Sequence, residues 1–158
     1  MNKIVFLCCI ALQWCDAFGV CPSWPTGERF IVSGSEVTDH KTGLTWSRCS
    51  LGQEWSGNTC TGIASIFTHE EAMQFAASKT GWRIPNIKEL SSLVDTGCES
   101  PAIDSTAFPG TPVWWYWASS PAVWSADYSW GVDFKDGYIS FVSRSRSAGS
   151  RVRLVRTD

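Results

Sequence analysis

From Arg29 the apolar and polar positions fall into short runs: Phe30-Ile31-Val32, then Glu36-Val37-Thr38, then Leu44-Thr45-Trp46. Ser33-Gly34-Ser35 and residues 39–43 lie between them, so the stretch predicts hairpins of short strands. At Thr68 the period changes. Ala72, Phe75 and Ala76 share one helical face, and Thr68 with Glu71 forms a capping box, which predicts an amphipathic helix running to Gly81. Gly81 supplies the stop, because glycine takes the left-handed conformation without a Cβ penalty. Pro85 keeps Ile84 extended. Asn86 and Glu89 then make a second capping box for a helix that buries Ile87, Leu90, Leu93 and Val94 and ends near Gly97. Trp82 and Ile84, between the helices, read as core residues, and Arg83 as a structural arginine bonding nearby carbonyls.

Beyond Cys98 the pattern loses its helical period. Pro101, Pro109, Pro112 and Pro121 punctuate an irregular region that carries Trp114, Trp115, Trp117, Trp124 and Trp130. Residues 130–134, 138–142 and 152–156 then read as three antiparallel strands. Lys135-Asp136-Gly137 turns the first into the second, since Asp-Gly between alternating segments is a hairpin signal. The expected fold class is α+β, with two short amphipathic helices packed on twisted antiparallel sheets.

The N-terminus changes the domain picture. Residues 1–19 carry Lys3, a 9-residue apolar run at 4–12 and a stretch ending in small residues. This reads as a secretory signal peptide cleaved after Ala17 or Gly19, because a spanning helix needs about 20 apolar residues. Lys3 and Asp16 cancel, so a mature chain of about 139 residues, enough for one domain at 20–158, keeps the formal charge of -2. It retains Cys21, Cys49, Cys60 and Cys98. An even number of cysteines in an exported chain implies two disulfides, with three possible pairings. Cys49 and Cys60 bracket a short polar loop, which favours Cys49–Cys60 and leaves Cys21–Cys98. No Cys-x-x-Cys spacing occurs, and His40 and His69 fall in unrelated segments, so no zinc site is expected. Charge is uneven: residues 137–158 hold five arginines and one acid, +4, against -6 elsewhere. Arg144, Arg146 and Arg151 read either as a solvated strand face or as an anion-attracting patch.

Several separated segments, VTDHKTGLTW, the 49–60 loop, GWRIPNIKELSSLVD, SPAIDSTAFPGTP, YWASSP, WGVDF and VRLVR, together resemble the Lcl C-terminal domain family, in the same order over nearly the whole mature chain. The resemblance implies a C-type-lectin-like fold, similar to that of the formylglycine-generating oxidases. It also implies kinship with diversified binding proteins of retroelements, whose receptor-binding residues lie in the last strands and loops.

The oxidases of that fold use reactive cysteines in the C-terminal part of the domain, and no cysteine follows Cys98. The histidines lie outside the aromatic region, so no nucleophile and base are paired in sequence. The Glu-Pro-Asn and Trp-Asn-Asp motifs of calcium-dependent lectins are missing. A shared fold does not carry its chemistry. The expectation is therefore a non-enzymatic exported binding module without a cofactor. Its expected partner is a cell-surface protein or an anionic glycan, not nucleic acid. Trp114, Trp115, Trp124, Asp133, Lys135, Tyr138, Arg144 and Arg146 are the expected ligand-binding residues, because aromatics and arginine dominate binding hot spots. Trp117 and Trp130 are expected in the core.

Overall fold

The structure is a computed structural model that describes residues 21–143 and 149–157. The expected signal peptide at 1–19, and Arg144 and Arg146, lie outside the described residues. Helix α1 (Thr26–Arg29) leads into strands β1 (Phe30–Ser33), β2 (Glu36–Asp39) and β3 (Leu44–Ser47). The hairpins fall where the sequence places them. A two-stranded ribbon, β4 (Glu54–Trp55) and β5 (Cys60–Thr61), precedes helices α2 (His69–Ala77) and α3 (Ile87–Ser91). Strands β6 (Trp115–Pro121), β7 (Tyr128–Asp133), β8 (Tyr138–Ser143) and β9 (Val155–Thr157) complete the chain. No helix among the described residues is long and apolar enough to cross a membrane.

Two larger antiparallel sheets result, ordered β1-β2-β3-β9 and β6-β7-β8. The second has core on both faces. Tyr116, Ala118, Val132 and Phe134 point into one cluster with Trp46, Leu90, Leu93 and Phe108. Trp117 and Val142 point into another with Ala72, Ala76, Ile84, Val152 and Leu154. Trp117 is fully buried in this second cluster, and Trp130 packs half-buried against the first.

This two-sided burial corrects the reading of residues 99–129 as irregular. β6 gives little period-2 signal because both of its faces are covered, the situation in which strands lose polar alternation. Two other corrections concern reach. Residues 152–156 do not join the β7–β8 hairpin: Val155 and Arg156 pair with Trp46 and Thr45 of β3, in the other sheet. Both helices also end early. In α2 the Ser78 hydroxyl takes the Phe75 carbonyl at 2.6 Å, so the helix closes before Gly81. In α3 the Ser91 and Ser92 hydroxyls bond the Lys88 and Glu89 carbonyls, 3.1 and 2.7 Å. Serine hydroxyls compete with the helical ladder in this way. Leu93 and Val94 still turn inward through i to i−3 bonds to Leu90 and Ser91.

Both capping boxes form. The second is reinforced from outside its helix. Glu89 accepts Arg83 on both oxygens at 2.7 and 2.8 Å while also accepting the Asn86 N–H at 2.8 Å. Arg83 thus pairs mainly with a carboxylate, its one carbonyl bond being a long 3.5 Å contact to Ile84. The link itself is clamped between the sheets. Arg83 and Val155 exchange backbone bonds of 2.9 and 3.0 Å, and Ser119 N–H donates to the Pro85 carbonyl at 2.8 Å.

Arg83's bond holds the Glu89 carboxyl below its ordinary value, against the opposing effect of burial. A depressed carboxylate contributes stability that is present above the unfolded value and lost as pH falls through the folded one. The denaturant midpoint is therefore expected to fall on acidification below about pH 4.5, and Glu89→Gln should flatten that slope. Parallel slopes for the two proteins would remove Glu89 from the acid transition.

Both expected disulfides are present, Cys21–Cys98 across 77 residues and Cys49–Cys60 across 11.

Candidate functional site

The turn between β7 and β8 orders the surface beside it. Asp133 Oδ1 accepts the Lys135 N–H at 2.9 Å, and Asp136 Oδ1 accepts the Tyr138 N–H at 3.0 Å. Gly137 closes the turn at φ 80°, with Val94 only 2.5 Å from where a Cβ would stand, so both conformation and space require glycine.

Trp115, Asp133 and Tyr138 are direct partners across the three strands. They form one row. The Trp115 and Tyr138 rings meet edge to face with centroids 6.3 Å apart, an arrangement favoured by aromatic quadrupoles. Tyr138 is 61% exposed, Lys135 is exposed at the turn, and Trp115 is half-buried against the second core cluster. Trp114, also exposed, donates from its indole to the Gly149 carbonyl at 3.4 Å.

Trp124 belongs elsewhere. It is 61% exposed in the loop between β6 and β7, its ring 4.0 Å from Phe141, which in turn lies 3.9 Å from Trp130. Phe141 is three residues from Tyr138, so strand alternation puts this aromatic stack on the opposite face from the Tyr138 row. The residues expected to bind together thus divide into two patches.

The described arginines of the last segment, Arg151, Arg153 and Arg156, are bonded to other parts of the protein. Arg151 donates to the Ala64 carbonyl. Arg153 is fully buried and donates to the carbonyls of Ser47 and Arg48 and the hydroxyl of Thr111. Arg156 forks onto Glu36 at 2.9 and 3.2 Å and lies over the Trp82 ring. The formal +4 of residues 137–158 therefore overstates the charge available at the surface.

His69 lies outside the aromatic region in sequence, but the fold brings it against that region. His69 Nε2 lies 3.0 Å from Ser129 Oγ and 3.1 Å from the Ala118 carbonyl, with the ring edge-on to Trp117. The hydrogen bonds define the pair's role. Ser129 donates its only proton to the Ser120 carbonyl at 2.8 Å, and the Ala118 carbonyl requires a proton on Nε2. The imidazole nitrogen facing Ser129 is thus a donor, the wrong state to activate a hydroxyl. Both residues are buried, and the arrangement ties α2 to β6 and β7. No local sequence signal foretells it, because 60 residues separate the partners.

A cavity of about 310 Å³ that no sequence motif marks lies between the N-terminal segment and the β2–β3 turn, lined by Trp24, Glu28, Arg29, His40 and Lys41. Arg29 is committed there to Asp39 and to the Ser92 carbonyl.

No curated protein matches the chain. The sequence profile of the Lcl C-terminal domain matches residues 35–156, from the start of β2 through the strand that closes the first sheet and including every described element of the candidate surface. The protein belongs to the Lcl C-terminal domain family.

Proposed function

We propose that this protein is an exported, non-enzymatic binding module on a C-type-lectin-like scaffold. It recognises a cell-surface protein or anionic glycan through the surface around β6–β8. The observation that carries this reading is the placement of exposed aromatics. Of the five exposed Trp and Tyr residues among those described, Trp114, Trp124, Tyr128 and Tyr138 lie on β6–β8 or the loops beside them, Trp124 and Tyr128 on the side opposite the Tyr138 row. Such rings give large contact area at low entropy cost. Lys135 beside Tyr138, with Arg144 and Arg146 following the same strand, would supply charge for an anionic partner. Export is supported by the two disulfides, which persist in oxidising compartments. Those bridges use every cysteine after residue 19, leaving no thiol for oxidase-type chemistry.

The test compares the mature protein with a Trp114→Ala, Lys135→Ala, Tyr138→Ala variant on immobilised heparin, a glycan panel and cell surfaces. Thermal unfolding serves as the folding control. Affinity is expected to fall at least about tenfold, since truncating a hot-spot aromatic costs about 2 kcal/mol, with little change in unfolding temperature. Arg144→Ala with Arg146→Ala should weaken the salt dependence, because exposed charge attraction is screened over about 8 to 10 Å. Failure of the unaltered protein to bind any surface would favour an inert structural role. Equal binding by the variant would move the site away from this face.

A further inference from the structure

β8 is the outermost strand of its sheet, and among the described residues no backbone group outside β7 bonds to positions 138–142. Natural proteins blunt such edges with lysine, proline, bulges or covering segments. β8 reads Tyr-Ile-Ser-Phe-Val-Ser, without a charge or a proline, and it pairs with β7 in unbroken register. Tyr138 is 61% and Ile139 42% exposed along it. The terminal strands of the larger sheet, β1 and β9, have only four and three residues against six here, and the edge of β6 is covered by backbone bonds to Arg151 and Pro85.

We propose that the β8 edge pairs antiparallel with β8 of a second copy of this chain, giving a two-fold symmetric dimer with one continuous sheet. A two-fold axis perpendicular to a sheet keeps each residue on its own face, so a residue can oppose only positions of the same parity. With Ser140 opposite its own copy, Tyr138 faces Val142 and Ile139 faces Phe141. Both are pairs of an aromatic with a β-branched side chain, the kind that stabilises sheets. Because the strand is uncharged, the symmetric register brings no like charges together. Moving the axis to Phe141 loses both pairings and leaves Tyr138 without an opposing residue in β8. The strand is therefore complementary to itself in one register. This inference is independent of the ligand assigned to the Tyr138 row.

Symmetry makes the register testable with one cysteine. Cα atoms directly opposite in an antiparallel pair are about 4.5 to 5.5 Å apart, inside the window of about 4.4 to 6.8 Å that a disulfide spans. Ser140→Cys is expected to give a disulfide-linked dimer under mild oxidation. Tyr138→Cys is not, because its copy is displaced by four residues, about 13 Å along the strand. Sedimentation of the unaltered protein across a concentration series should show a monomer–dimer equilibrium. Ser140→Lys should shift it to monomer with the unfolding midpoint unchanged. A protein that stays monomeric at every concentration, together with a Ser140→Cys variant that stays unlinked, would overturn the proposal. So would cross-linking of the Tyr138→Cys variant in place of the Ser140→Cys variant. If the lysine variant unfolds, the two cysteine variants alone decide between these outcomes.

Discussion

Arg153→Ala is expected to lower the unfolding free energy by about 3 to 5 kcal/mol, through a cavity and orphaned acceptors together. Its guanidinium has no exposed surface and lies 4.8 Å from the Phe108 ring and 5.9 Å from that of Tyr116. It donates to the Ser47 carbonyl at 2.9 Å, to the Arg48 carbonyl, and to Thr111 Oγ1 at 2.7 Å. Burial lowers its pKa, while the neighbouring Tyr116 works in the opposite direction. Removing the fork leaves the part-buried Ser47 and buried Arg48 carbonyls at the end of β3 without that donor, and leaving a buried acceptor unsatisfied costs about 1 to 3 kcal/mol. Arg153→Lys keeps the charge but not the planar fork, so it should recover less than half of the loss. Denaturant midpoints read both effects. An alanine variant within about 1 kcal/mol of the parent would show that the surrounding carbonyls find other partners.

Cys98→Ser is expected to cost more than Cys49→Ser. In the chain-entropy model, closing loops of 77 and 11 residues contributes about 4.5 and about 2.8 kcal/mol. The longer bridge also secures the N-terminal segment, where Ser23 donates to Asp95 from both its N–H and its hydroxyl. Losing it should free Trp24 and dissolve the cavity that Trp24 helps to line. Urea midpoints of the two serine variants, measured with the other bridge intact, decide the order. Equal losses would count against loop length as the controlling quantity.

The parts of this fold legible from sequence are those whose hydrogen bonds close within a few residues. Thr68 with Glu71 and Asn86 with Glu89 are three residues apart, and both boxes form as read. The hairpins of the first sheet and the Asp136-Gly137 turn are similarly local. The candidate surface was less legible. Trp115, Asp133 and Tyr138 come together because three strands align them, whereas Trp124, close in sequence, falls on the other face. The arginines were hardest, since Arg151, Arg153 and Arg156 look in sequence like the exposed part of a basic segment. Their partners are carbonyls and carboxylates far away in the chain, such as Ser47 and Glu36.

By itself the sequence determined the α+β class, both capping boxes, the hairpin turns and the family, and it favoured the cysteine pairing that the structure shows. Each of these rests on local geometry, on loop closure or on the order of recognisable motifs. The tertiary structure alone decided which sheet the last strand joins, that β6 is a strand with core on both sides, and that His69 is held as a donor against Ser129. It also decided which positive charges remain at the surface. The pairing of the last strand, the His69–Ser129 contact and the Arg156–Glu36 pair join segments 60 to 120 residues apart. Nothing in a short window of side chains distinguishes an arginine that faces water from one whose acceptors arrive from another strand.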